Sequence, residues 1–283
     1  ADTLALAETF HNDPERHVLQ ASLELALYPA TMLVPDRLQP NYQRYLRKNY
    51  QARARELGWT AKPGESDETK LLRPTLLRVV ATWGGDTELA AEARALTEKW
   101  FTDHTALDPN MVSAVLRSAA FFGDKALAER FLTELKKEKD RQVRQTLLSA
   151  MNSFRDSEAI ALSMNALLKG DVPFMEGSGL LFGGQLQDST RKMSLNFLRS
   201  NFDQIVAKMP TGGGFDFGSV LPHVGASYCD AASRDELKAF FQPRVEKFVG
   251  APRALDQTLE SIDLCIANKA AQGASVAAFL GKY

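Results

Sequence analysis

A chain of 283 residues with 45% hydrophobic and 24% charged residues has enough apolar material for a sizeable core without disulfide or metal staples. Its 34 basic and 35 acidic residues are intermixed, for a net charge of -1, which leaves no electrostatic footprint for a nucleic-acid partner. No apolar run approaches the roughly 18 residues a membrane span takes; the most apolar stretch, residues 111–122, is broken by Arg117.

In chain order, helical periodicity dominates. Leu71, Leu72, Val79, Val80 and Trp83 fall near one face of a first helix, and Leu89, Ala93, Leu96 and Trp100 mark the next. Val112, Val115, Leu116, Ala119 and Ala120 outline a third, and Leu127, Phe131 and Leu135 a fourth. Val143, Leu147, Leu148 and Met151 follow, then Ile160, Met164 and Leu167. Steps of three and four residues place these side chains on single helix faces. Sustained alternation of apolar and polar residues is missing, so strands are expected to be few or absent.

The punctuation agrees. Gly84-Gly85-Asp86 and Gly123-Asp124 each set a helix-ending glycine, in left-handed backbone, before an aspartate that caps the next helix. Asp108-Pro109 puts proline at the first helical position, where its missing N–H costs nothing. Ser233 with Glu236 reads as a capping box, and Gly250 with Pro252 as the end of that helix. Gly177-Ser178-Gly179, Gly183-Gly184 and Gly212-Gly213-Gly214 read as loops or irregular turns.

Asp108, Asp124, Asp140 and Asp156 recur at a constant step of 16 residues, and Asp188 lies two further steps on. Sixteen residues hold a helix of about three turns and a short turn. A helical hairpin cannot bury its apolar face alone, so successive pairs are expected to stack. The expected fold is all-α: an α-solenoid of stacked antiparallel helix pairs, a HEAT/armadillo-like superhelix, in one continuous domain over residues 1–283.

Catalytic constellations are scarce. His11, His17, His104 and His223 form no HExxH pair, so no metal site is expected and the histidines read as surface or packing residues. Gly177-Ser178-Gly179 lacks the strand and helix of a nucleophile elbow, and no Gly-Lys-Ser/Thr completes a phosphate loop. Asp67-Glu68 and Asp235-Glu236 are placed in first helical turns, where negative charge suits the dipole. Lys136, Lys137, Lys139 and Arg141 read as a solvated helix end. Cys229 and Cys265 have no metal-ligand spacing and read as two free thiols, which favours a reducing, cytoplasmic setting although a periplasmic protein also fits. No signal peptide is visible, and a chain that begins with Ala1 reads as a processed or excised piece.

One segment is more specific. Leu57-Gly58-Trp59, Lys62-Pro63-Gly64-Glu65-Ser66 and Leu71-Leu72-Arg73 together resemble the opening of the C-terminal helical domain of zinc aminopeptidases, the family of the alanyl, puromycin-sensitive and endoplasmic-reticulum enzymes. Ala93-Arg94, Trp100-Phe101, the stretch from Asp108 to Gly123-Asp124, Phe197-Leu198-Arg199-Ser200-Asn201-Phe202 and the stretch from Glu236 to Phe241 extend the resemblance over nearly the whole chain. Departures fall around Arg191: Thr190 replaces a glycine and Leu195 a tryptophan, and further on Phe202 replaces another tryptophan.

The resemblance implies a bowl of helices over the active site of a larger enzyme, with the parent's own catalytic domain and peptide substrates as partners. Zinc is the implied cofactor of that catalytic domain and not of this chain. The zinc motif HExxH and the amine-binding motif GxMEN do not occur here, so the chain is expected to be non-catalytic by itself. Such a bowl would shape peptide access and close over the site as an interdomain lid. A peptide's terminal carboxylate needs a fixed cation, and arginine offers a planar fork. Arg73, Arg117, Arg144 and Arg191 are the candidates, each expected on a helix near its apolar stripe. Trp59, Glu65 and Arg73 form the structural motif, Glu65 and Arg73 being expected to pair and fix the first hairpin. The alternative is a stand-alone helical scaffold that binds a protein partner in its concave face.

Overall fold

The computed structural model describes residues 1–210 and 216–283, so Gly212, Gly213 and Gly214 lie outside the described residues. Helices α1 (Asp2–Phe10), α2 (Arg16–Leu27), α3 (Gln39–Leu57) and α4 (Asp67–Thr82) come first. Next are α5 (Thr87–Thr102), α6 (Pro109–Phe121), α7 (Lys125–Lys137), α8 (Arg141–Met151) and α9 (Ser157–Lys169). The last third holds a one-turn α10 (Phe174–Gly177), then α11 (Met193–Val206), α12 (Ala231–Phe241) and the 30-residue α13 (Ala251–Leu280). Among the described residues there is no β-strand.

The aspartates set the rhythm of the middle helices. Asp108, Asp124, Asp140 and Asp156 accept hydrogen bonds from the amides of Asn110, Leu127, Val143 and Ala159, at 2.8 to 2.9 Å. Each satisfies a donor that the first turn of its helix leaves free. Helices α4, α6 and α8 pack side by side in one row, α7 packs on α9 in a second, and the hairpin contacts α5–α6 and α7–α8 join the rows. This is the stacked hairpin array the spacing predicts.

Three buried clusters follow one another along the array. The first joins α1 to α6 through Leu19, Tyr42, Tyr45, Leu76 and Val115, the second is built on Trp100, Phe131, Leu147 and Ile160, and the third on Leu195, Leu237, Phe241 and Leu255. Helix α13 contributes Leu255, Leu259 and Ile262 to the third cluster but Val276, Phe279 and Leu280 to the first. At 1.5 Å per residue it reaches roughly 45 Å, so one helix ties the end of the array back to its beginning.

Several expectations need correction. Asp188 caps nothing: α9 ends at Gly170 in left-handed backbone (φ +84°), irregular turns follow, and α11 starts only at Met193, so the 16-residue step is lost. Asp230, not Ser233, caps α12; it accepts from the Ser233 amide at 2.8 Å, which places Asp235 and Glu236 beyond the first turn. Gly250 (φ +83°) opens α13 rather than closing α12. Gly85 has the left-handed backbone expected of it (φ +63°), but Gly123 does not. A Cβ on Gly123 would lie 2.6 Å from the Phe154 ring and 2.7 Å from Leu127, so close packing demands glycine there.

The cysteines are corrected too. Cys229 and Cys265 are 36 residues apart in sequence but form a disulfide, with Cα atoms 5.3 Å apart. The cytoplasmic reading rested on free thiols and loses that basis. No helix among the described residues is long and apolar enough to cross a membrane.

Candidate anion pocket

The C-terminal ends of α4, α6 and α8 lie next to one another and line a cavity of about 310 Å³. Arg78, Thr82 and Trp83 come from α4 and its end, Arg117 and Phe121 from α6, Asn152 and Ser153 from the end of α8, and Leu186 from the turns before α11. Side-by-side stacking produces this: α4, capped by Ser66, and α6 and α8, capped by Asp108 and Asp140, pack in one row and bring their last turns together.

Arg155, three residues beyond Asn152, joins these groups from the side. Its guanidinium carbon lies 3.7 Å from the centre of the Phe121 ring and 4.7 Å from that of Trp83. The two rings meet edge to face at 5.9 Å and form an aromatic wall that holds the cation by its quadrupole. The Arg155 Nε is buried without a hydrogen-bond partner among the described residues. Arg117 donates from Nε to the Ser153 hydroxyl at 3.3 Å. The Arg78 carbonyl accepts from the Thr82 hydroxyl at 2.7 Å, while its guanidinium is in no hydrogen bond or ion pair among the described residues.

Two guanidinium groups, Arg78 and Arg117, thus line a space with no carboxylate among its described lining residues, and Arg155 lies against the rings of its aromatic wall. Burial lowers the pKa of each below the usual arginine value, Arg155 to about 10, and the neighbouring Arg117 charge lowers Arg78 further. Asp36 offsets only part of the effect at Arg155. A lowered pKa on a cation means that the folded protein leaves its charge undercompensated. The carbonyl ends of the three helices carry partial negative charge that steadies the arginines. They cannot replace a bound anion, which would make charge-assisted, fork-shaped hydrogen bonds.

The four arginines singled out in the sequence have different surroundings. Arg73 is 1% exposed and donates to the carbonyls of Leu57, Gly58 and Thr60 while pairing with Glu65. Trp59, in the loop so held, is buried and donates from its indole to the Leu89 carbonyl at 3.1 Å. Arg144 grips both carboxylate oxygens of Glu176, at 2.6 and 2.7 Å, and donates to two chain carbonyls. Arg191 lies in the turn before α11 and not on a helix as expected; it pairs with Asp188 at 2.7 Å and reaches the Thr31 carbonyl at 3.4 Å. Only Arg117 of the four lines the pocket, and Arg78 and Arg155 were not singled out. The available signal was Trp83 and Phe121: two aromatic residues at consecutive helix ends one stacking unit apart, beside which Arg155 follows a third helix end.

The implied zinc was tested against the residues present. Glu15, His17 and Glu68 bring three ligand-type atoms within 4.8 Å of one another at the surface. Arg16 already occupies the group, donating to Glu68 at 2.6 Å and lying 3.0 Å from the His17 ring nitrogen. An internal guanidinium there competes with any metal, and the grouping lacks the two histidines one helical turn apart of a catalytic zinc site. These residues do not fit the peptidase metal.

The features define an all-helical repeat domain with a cationic pocket at its helix ends. A family model described as the ERAP1-like C-terminal domain matches residues 1–264, and the chain belongs to that family. It is 24% identical over 228 residues to aminopeptidase N of Lactobacillus helveticus, covering 78% of this chain and 27% of that protein. It is 22% identical over 217 residues to aminopeptidase M1-C of Oryza sativa subsp. japonica, covering 74% of this chain and 24% of that protein. The chain therefore spans about a quarter of the length of these relatives.

Proposed function

We propose that this chain is the non-catalytic C-terminal domain of a zinc-dependent aminopeptidase, where it caps the active site and shapes peptide access. In this reading the chain forms a wall of the substrate chamber, and the metal chemistry resides in a preceding catalytic domain. The family membership and the aminopeptidase names of both relatives support this.

The observation that carries the domain's own part is the pocket lined by Arg78 and Arg117, with Arg155 on its aromatic wall and no carboxylate among its described lining residues. A peptide offered to an aminopeptidase has its amine at the chemistry and its carboxylate elsewhere. A pair of undercompensated guanidinium groups lining the cavity, with a third beside its wall, suits that carboxylate. Arg73, Arg144 and Arg191 have their charge met by Glu65, Glu176 and Asp188, so Arg117 is the one of the four candidates we retain. The test is steady-state kinetics of the whole enzyme carrying Arg117→Ala. KM for free-acid peptides is expected to rise about 10-fold, the loss of one charge-assisted contact. Hydrolysis of aminoacyl fluorophores, which have no terminal carboxylate, should be unchanged. An equal effect on both substrates would remove the assignment.

A further inference from the structure

Helix α13 is anchored at both ends and almost bare between them. Its root packs Leu255, Leu259 and Ile262 into the third core cluster, and Cys265 is joined to Cys229 one residue before Asp230, the cap of α12. Its far end buries Val276, Phe279 and Leu280 in the first cluster. There Asn41 donates to the Leu280 carbonyl at 3.0 Å, Arg44 donates to the Tyr283 carbonyl, and the Tyr45 ring meets Phe279 at 5.7 Å and Tyr283 at 5.2 Å. Between Cys265 and Val276, every residue from 266 to 275 is exposed or half-buried.

Ile266 rests against the third cluster and Asn268 and Gln272 line a cavity beside α1, but no residue of the stretch is buried, and a ten-residue helix with so little packing is below the length at which a helix holds itself in water. Asn268, Gly273 and Ser275 lower its propensity further. The bridge therefore keeps its shape because both anchors hold. It also lies beyond the family match, which ends at residue 264. We propose that residues 266–283 are a strap tying the last helices of the array to the first, and that the Cys229–Cys265 bond fixes its root so that closure is thiol-sensitive. The inference rests on packing and does not depend on the aminopeptidase reading.

The chemistry is ordinary thiol–disulfide exchange. A small dithiol attacks one sulfur, the S–S bond breaks through a mixed disulfide, and the second reductant thiol displaces the protein sulfur. The reductant loses two electrons and becomes a cyclic disulfide, and Cys229 and Cys265 each gain a hydrogen. Both cysteines are buried, at 5% and 6% exposure, so the reductant must be small.

Hydrogen exchange of the protein carrying this chain tests the proposal, oxidised against reduced with dithiothreitol. Amides in residues 266–280 are expected to exchange at least about 10-fold faster after reduction, with those of α6 to α9 unchanged. Cys265→Ser should reproduce the reduced pattern without reductant. Phe279→Ala, which releases the far anchor and leaves the disulfide, should accelerate the same amides in the oxidised protein. Equal exchange of residues 266–280 in both redox forms would overturn the proposal. So would uniform acceleration across all helices, which would mark the bond as a general staple.

Discussion

The Arg155 guanidinium lies 3.7 Å from the centre of the Phe121 ring, on a pocket wall that no carboxylate lines. A cation seated on an aromatic face keeps its charge available to an incoming anion in a way that an ion-paired one does not. Arg144, gripped by Glu176, is the contrast within the same array.

That contrast predicts anion-linked stability. N-acetyl amino acids, which present a carboxylate without an amine, should raise Tm as their concentration passes their Kd, because they bind the folded state alone. The rise should disappear in Arg155→Ala with Arg117→Ala. It should also fade as the pH approaches about 10, where Arg155 loses its proton. Differential scanning fluorimetry with the amidated compounds as controls measures it.

Arg73 has the opposite character. Its replacement by alanine strands the carbonyls of Leu57, Gly58 and Thr60 beside a cavity. Leu57 and Gly58 are half-buried and Thr60 is exposed, so water can reach part of the freed carbonyls; together with the cavity left by a buried side chain, a loss of about 2–3 kcal/mol is expected. Arg73→Lys should recover only part of it, since a lysine presents no fork. Urea unfolding gives both values.

The same pair fixes a pH dependence. The Arg73 hydrogen bond holds the Glu65 carboxyl below its ordinary 4.5, although burial pushes the other way. A carboxylate with a depressed folded pKa adds stability that is complete above 4.5 and is lost as the pH falls through the lower folded value. Stability measured between pH 7 and pH 3 should drop less steeply in Glu65→Gln, which starts lower. A steeper acid limb in the variant would contradict this pairing.

Gly123→Ala should be destabilising by about 1–3 kcal/mol, because the new methyl would overlap the Phe154 ring and Leu127. The usual left-handed argument does not apply there. Gly85→Ala, at φ +63°, should also cost stability, through backbone strain.

How much of this was legible depended on where the pattern came from. The six helices from α4 to α9 were readable because their apolar stripes and aspartate caps are local properties of the chain. Helix α3 went unread: Tyr42, Tyr45 and Tyr50 carry its buried face between many charged residues, so its amphipathic stripe is polar in composition. Helix α13 was hidden for the opposite reason, because its middle is small and exposed and its two ends serve different cores. Ser233 looked like a cap because the serine and glutamate spacing is right, but Asp230, three residues earlier, caps the helix by accepting from the amide of Ser233 itself. The Cys229–Cys265 bond joins residues 36 apart that the packing of α13 on α12 and on the segment before it brings together. Arg117 was reachable from its helix. Arg155 follows a helix end, where periodicity says nothing, and its role depends on rings from two other helices.

The most direct measurement is the affinity of this chain for one peptide in two forms, with a free C-terminal carboxylate and with an amide, by fluorescence anisotropy at low salt. The account predicts that the free acid binds at least about 10-fold more tightly, the value of one well-formed charged contact, and that Arg78→Ala, Arg117→Ala and Arg155→Ala each erode the difference. Equal affinities for the two forms, or a preference for the acid that survives all three substitutions, would contradict it.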